Sequence, residues 1–405
     1  MALQATQNRA VNPASERVDS AISRIPALDG LRGAAILLVM LCHTYIFEDV
    51  RAYLDSTSLK PLWGMAEFGW CGVELFFVLS GFLITSILFN TKESPQYFPS
   101  FYGRRAVRIF PLYFAVLLVY FYGPLSFFHS YPFEPTHKIW FFTYLANWKA
   151  GSWPVNELTL FWSLCVEEQF YLVWPLVVWL TGRRAFPWLC LGVIVVSLAA
   201  GVAIEFAPVP ELVVWCTSVP RLQAIVFGSL LAWVVRQSWL EKVTGHLKLA
   251  IPAAFGLMLV CALKPPYFRS FHTIEFLISA VAWSALLLHC YTRTDGLAAR
   301  IMRNRMLRSF GKYSYAIYVL HACIMFYVAN FTARVIKRYI SSPPLILIAT
   351  FFTVFAASYL AGFLSWHLFE KHFLRLKKYL PYMVDSPVSR RPNPRASQMP
   401  SPVLE

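Results

Sequence analysis

The chain has 405 residues and a formal net charge of +15, yet only 14% of its residues are charged, against 58% hydrophobic and 17% aromatic. With a mean hydropathy of +0.52, and with soluble domains carrying about 25% charged residues, this balance excludes an ordinary soluble fold. The basic excess does not point to nucleic acid, because Arg and Lys stand in short clusters between apolar runs and no aromatic–basic strip accompanies them.

From the N-terminus, residues 1–24 are polar, carry Arg9, Arg17 and Arg24, and lack the apolar core of a signal peptide. They read as a disordered cytoplasmic tail. A spanning helix needs about 20 mostly apolar residues. Ten segments meet that need: 31–48, 68–89, 109–128, 160–181, 186–206, 219–235, 249–264, 274–291, 313–331 and 344–368. The short run 138–148 suits an interfacial or re-entrant segment, with Trp140 and Trp148 as interface anchors. Residues 381–405, rich in Pro and Ser, read as a second disordered cytoplasmic tail. The fold class expected is therefore all-α and polytopic, with about ten transmembrane helices in one domain, 25–380.

Basic residues orient the bundle. With the N-terminus inside, the inner loops hold Lys92, Arg104, Arg105 and Arg108, then Arg183 and Arg184, then Arg236, Lys242 and Lys248. A further cluster from Arg293 to Lys312 and the C-terminal Lys371, Arg375, Lys377 and Lys378 also fall inside, so both termini are expected in the cytoplasm. The eight cysteines form no C-x-x-C pair and mostly sit in apolar runs, as small buried hydrophobes would, and no metal-site spacing occurs.

Ionisable groups inside spans cost several kcal/mol unless they face a cavity or a partner. Seven stand out: His43, Glu74, Glu167, Glu168, Arg221, His289 and His321. Arg32 sits at the inner mouth of the first helix, and His43 follows eleven residues later. That is about three turns and roughly 16 Å, so the two project from nearly one face. Glu167 and Glu168 come about seven residues into the fourth helix, which suggests a depth close to that of His43 and a His–carboxylate pair. Adjacent residues point about 100° apart, so one glutamate at most faces His43, and Glu167 is preferred. Against these readings, His289 and His321 suit histidines that hydrogen-bond a backbone carbonyl or a neighbouring helix. Glu74 suits a carboxylate paired with a basic residue. Arg104, Arg105 and Arg108 suit positive-inside determinants.

The motifs as they stand are IPALDGLRGAAILLVMLCH with Arg32 and His43, GVELFFVLSGFLIT, and FYGRRAVRIFPLY with Arg104, Arg105 and Arg108. FWSLCVEEQFYLVWP with the two glutamates, VPRLQAIVFGSLLA with Arg221, YSYAIYVLHA with His321, and HLFEKHFLRLKK follow in order. Over residues 24 to 380 the chain resembles acyltransferase family 3, the integral membrane O-acyltransferases. The resemblance implies transfer of an acyl group, usually acetyl, from cytoplasmic acyl-CoA as co-substrate to a hydroxyl of an extracytoplasmic glycan or glycolipid. It implies no bound cofactor and a cell-membrane, multi-pass location. Some relatives acylate macrolides or other small glycosylated products, and a transporter or flippase without covalent chemistry is the reading from another class. Larger relatives append a soluble esterase-like domain, which is not expected within these 405 residues.

The expected roles follow. Arg104, Arg105 and Arg108 hold the donor phosphates through charge-assisted hydrogen bonds, and Arg32 guides the pantetheine arm. His43 acts as general base or is itself acylated, with Glu167 or Glu168 orienting it. Arg221 pairs with a glutamate or contacts the acceptor, and His321 is grouped with the substrate-binding residues.

Overall fold

A computed structural model describes residues 25–44, 67–123, 135–152, 155–263, 271–293, 296–336, 338–339 and 342–382. The N-terminal tail 1–24, and all but the first two residues of 381–405, lie outside the described residues. Among the described residues the regular structure is entirely helical. The ten long helices are α1 (Pro26–Thr44), α2 (Cys71–Thr91), α3 (Tyr97–Tyr122), α4 (Trp162–Leu180) and α5 (Phe186–Glu205). They continue with α6 (Ser218–Val234), α7 (Leu240–Ala262), α8 (His272–Thr292), α9 (Arg305–Ile324) and α10 (Pro343–Ser365). The last two run on through π-helical turns, Met325–Ala329 and Trp366–Glu370.

Among the described residues, nine helical stretches are long and apolar enough to cross a membrane. The expected tenth, α4, falls outside that nine because Glu167, Glu168 and Gln169 dilute its hydropathy. It nevertheless runs beside α2 along its length. Ser80 bonds Glu167, Trp174 donates to Thr85 at 2.8 Å, and the Lys92 ammonium donates to the Val178 and Thr181 carbonyls at the α4 C-terminus, each at 2.8 Å. A helix so paired traverses the same layer as its partner. Its low hydropathy reflects polar groups turned into the bundle rather than toward lipid.

Two helix pairs set the register. In α1 and α9, a Cβ added to Gly33 would collide with the Leu307 carbonyl, and one added to Gly311 with that of Asp29. In α2 and α6, Gly81 meets the Ile225 carbonyl and Gly228 that of Val78. Apolar side chains gain nothing by leaving lipid for each other, so small residues that let backbones close in drive such contacts. Both pairs run parallel: residue 33 lies beside 311 and 43 beside 321, as 74 lies beside 221 and 81 beside 229. Replacing Gly311 with valine is expected to force α1 and α9 apart, and detergent-solubilised Gly311→Val should unfold or aggregate well below the temperature of the parent. A variant as stable as the parent would show that this approach is not what sets the register.

One boundary differs from the sequence reading in a way that bears on the site. α3 begins at Tyr97, twelve residues before the apolar run expected at 109. Arg104, Arg105 and Arg108 therefore lie on the helix itself and not in a loop preceding it. The stretch reads as polar in sequence because it packs on protein: the Tyr97 and Tyr102 hydroxyls donate to the Pro175 and Leu172 carbonyls, Ser100 to that of Pro381.

Candidate active site

The first half of α1 and of α3 and the middle of α2, α4 and α9 surround a cavity of about 870 Å³, its mouth included. Arg32, Arg105, Arg108, Glu167 and Glu168 supply its charge; Ser80, Ser163, Tyr171, Tyr315 and Tyr318 its hydroxyls; Phe76, Phe77 and Leu83 part of its apolar wall. The charges crowd one end. Arg108 has Arg32, Arg105 and Glu370 as charged neighbours, and Glu167 has Arg105 and Arg32. Arg32 also pairs with Asp29 one turn earlier at 3.2 Å. At the other end the Tyr318 hydroxyl is within hydrogen-bonding reach of Ser163 and donates to the Leu160 carbonyl at 3.0 Å.

Just beyond Tyr318 stand two histidines. His43 Nδ1 lies 3.1 Å from His321 Nε2. His321 Nδ1 faces the Tyr318 carbonyl at 2.6 Å and the Ile317 carbonyl at 3.2 Å. A carbonyl only accepts, so His321 Nδ1 must carry a proton. In the neutral pair His321 Nε2 is then bare and accepts from His43 Nδ1–H. His43 Nε2 is left with a free lone pair. The second ring nitrogen of a histidine is set by what the first one bonds, and here backbone carbonyls of α9 set both rings. His321 is fully buried while His43 is half-buried.

This is not the partner the sequence suggested for His43. Glu167 accepts from Ser80 at 2.8 Å and from Tyr171 at 3.1 Å. Glu168 has Glu167 and Arg105 as charged neighbours. Both glutamates line the cavity at the level of Arg32 and Arg105, where they oppose guanidinium charge, and no hydrogen bond between either of them and His43 occurs among the described residues. The depth estimate failed for a physical reason. The level of the histidine pair is marked by the contacts of Tyr318, namely Leu160 in the 3₁₀ turn Thr159–Phe161 before α4 and Ser163 in its first turn, so Glu167 sits a further turn or more toward the α4 C-terminus.

The three arginines of α3 also separate. Arg105 and Arg108 face the cavity. Arg104 instead donates to the Lys377 and Leu380 carbonyls at 3.3 and 3.0 Å, with its guanidinium 4.9 Å from the Tyr382 ring. Arg221 makes a buried ion pair with Glu74, the two being 1% and 0% exposed, so it meets a glutamate, as one of its two expected roles required. Its guanidinium lies 3.6 Å from the Phe276 ring centroid and also faces Trp162 and Trp215. His289 lies at the end of α8 beside Gly296, away from the cavity lining.

Ser80, Ser163, Tyr171, Tyr315 and Tyr318 escape the sequence reading because it rests on carboxylates, guanidinium groups and imidazoles, and hydroxyls are common in spans. Each lies inside a motif block quoted above, so the signal was present in those blocks. The run 138–148 forms a short helix, Pro135–Phe142, and a 3₁₀ turn, Ala146–Lys149. Gln169, next to the glutamates, ties it down by donating to the Tyr144 carbonyl and to Asn147 at 2.8 and 2.9 Å.

Residues 25–363 match the family model described as an acyltransferase domain, the acyltransferase 3 model. The chain belongs to acyltransferase family 3. Among similar curated proteins, this family member is 25% identical over 324 residues to the putative peptidoglycan O-acetyltransferase YrhL of Bacillus subtilis (strain 168), covering 73% of this chain and 48% of that one. It is 25% identical over 333 residues to the O-acetyltransferase OatA of Staphylococcus aureus (strain NCTC 8325 / PS 47), covering 76% and 51%. With the peptidoglycan O-acetyltransferase OatA of Listeria monocytogenes it shares 34% identity over 165 residues, 37% of this chain and 24% of that one. The family 3 chain thus spans about half the length of the curated relatives it matches. No solved structure matches it.

Proposed function

We propose that this family 3 chain is a membrane O-acetyltransferase that carries an acetyl group from cytoplasmic acetyl-CoA to a hydroxyl of an extracytoplasmic cell-wall glycan, with peptidoglycan as the leading acceptor. The observation that carries the reading is a single cavity, cationic at one end, whose other end abuts a carbonyl–histidine–histidine chain terminating in an unprotonated nitrogen. The acceptor class comes from the named relatives. A small glycosylated metabolite as acceptor has no comparable support.

The basic ends of the helices support the orientation. Arg32 on α1, Arg105 and Arg108 on α3, and Lys377 beyond α10 are mutual charged neighbours. Lys92 and Arg236 occupy the C-terminal ends of α4 and α6, where cations suit the helix dipole. Cytoplasmic faces carry such excess, so this end and both termini face the cytoplasm.

In the reaction the donor's phosphates sit on Arg32, Arg105 and Arg108, with Glu167 and Glu168 offsetting the mutual repulsion of the guanidinium groups before the donor enters. The pantetheine arm follows the apolar wall past Phe76 and Tyr318. His43 Nε2 takes the acceptor hydroxyl proton as that oxygen attacks the thioester carbonyl. The C–S bond breaks, and the imidazolium returns its proton to the departing thiolate. His321 positions His43 throughout.

The test uses purified protein in lipid vesicles with acetyl-CoA labelled in the acetyl group and peptidoglycan fragments. Label should appear in the glycan as base-labile ester. Glycan export with no label transferred would overturn the reading in favour of a transporter. Arg32→Ala should raise the donor KM about tenfold, the scale of a lost charge-assisted hydrogen bond, with little change in acceptor KM. An unchanged donor KM would remove Arg32 from the donor site.

A further inference from the structure

The mechanism leaves Lys377 and Arg104 without a role. Lys377 lies in the 3₁₀ turn Arg375–Tyr379, after the π turn that ends α10. This segment folds back along α3. Arg104 holds the Lys377 and Leu380 carbonyls, Ser100 donates to the Pro381 carbonyl at 2.7 Å, and Leu380 packs on Gly103. Arg375, Leu376 and Lys378 are exposed, whereas Lys377 is half-buried. The charges that act most strongly on it are the guanidinium groups of Arg108, Arg105, Arg104 and Arg32. The nearby carboxylate, Glu370, is occupied by Ser365 at 3.0 Å and by the field of Arg108.

Asp29, Glu167, Glu168 and Glu370 offset part of the charge on Arg32, Arg105 and Arg108, whereas the charges acting most strongly on Lys377 are guanidinium groups, so an anion joining it there relieves their repulsion. The segment that brings Lys377 there is anchored by α3 side chains that donate to its backbone carbonyls, so the crowding is built into the fold. The cluster has two tiers. Arg32, Arg105 and Arg108 line the cavity, while Lys377 and Arg104 stand outside its lining, toward the C-terminal segment.

Resting on the donor reading above, we propose that Lys377 binds the 3′-phosphate of the donor's ribose and so selects coenzyme A over its 3′-dephospho form. The order of charges along the donor matches the order of cations. The pyrophosphate, joined directly to the pantetheine arm, meets the cavity-lining arginines. The ribose phosphate, further out, meets the outer tier. Arg104 is committed to carbonyls and an aromatic ring, which leaves Lys377 to supply a mobile point charge, a role to which its flexible stem is suited.

The test is equilibrium binding of CoA and of 3′-dephospho-CoA to the full chain in lipid nanodiscs. The parent should bind CoA about tenfold more tightly than dephospho-CoA, and Lys377→Met should lose about tenfold for CoA with less than a twofold change for dephospho-CoA. Lys377→Arg should keep the preference, and Lys378→Met, which removes the same charge from the exposed neighbour, should leave both affinities unchanged. Equal weakening of both ligands by Lys377→Met would mean a general electrostatic or structural role and overturn the assignment. A parent that binds both forms alike would overturn it too. A parent that binds neither would overturn the donor reading itself.

Discussion

Replacing His43 with alanine is expected to lower acetyl transfer by about 10²- to 10⁴-fold, the range over which a positioned general base acts, while the protein remains in the membrane at normal abundance. The expectation rests on the protonation chain through α9. Backbone carbonyls fix the proton on His321 Nδ1, His321 Nε2 then accepts from His43, and His43 Nε2 becomes the basic site. His321→Ala should act differently. It removes the acceptor that holds the His43 ring without touching the reacting atoms, so kcat should fall by about tenfold or more while both KM values stay near their original values. Labelled-acetyl kinetics on the two variants check both statements. Full transfer by His43→Ala would end its assignment as base, and an unaltered kcat in His321→Ala would end the positioning role.

The largest effect on stability is expected from the Glu74–Arg221 pair. Arg221 is enclosed by Phe276, Trp162 and Trp215, donates its Nε–H to the Trp215 carbonyl at 2.8 Å, and pairs with Glu74. Removing one partner of a buried pair strands the other charge and costs about 3–5 kcal/mol, whereas replacing both by apolar groups is often neutral. Glu74→Leu and Arg221→Met should each abolish a monodisperse, detergent-extracted protein or lower its melting temperature sharply. The double variant should recover most of the loss. Two single variants as stable as the parent would show that this pair does not hold α2 to α6. A double variant no better than either single would show that Arg221 contributes mainly through its aromatic cage.

Much of the architecture was legible beforehand. The ten segments correspond to α1–α10, and α4 was recognisable despite its two glutamates because apolar runs flank them. The N-terminal end of α3 was not, since a helix that packs polar side chains on protein looks like a loop to hydropathy. The sequence named the charges that line the cavity and the histidines beside it, but not how they pair. Arg32, Arg105, Arg108, Glu167, Glu168, His43 and His321 were all singled out, but His43 was matched to Glu167 by a depth count whose origin depends on where each helix meets the membrane. An error of one turn moves a residue by about 5.4 Å, enough to exchange one partner for another.

What the sequence determined by itself is which apolar segments form the long helices and the set of charges that must be accommodated between them. Apolar length and charge placement are local properties that a bilayer reads segment by segment. Which of those charges meet was decided by tertiary structure alone. Gly33 against Gly311 sets how far α1 slides along α9, and that slide brings His43 to a histidine 278 residues away. Register and rotation of one helix against another are fixed by close contact between backbones, and the pattern along a single helix holds no record of them.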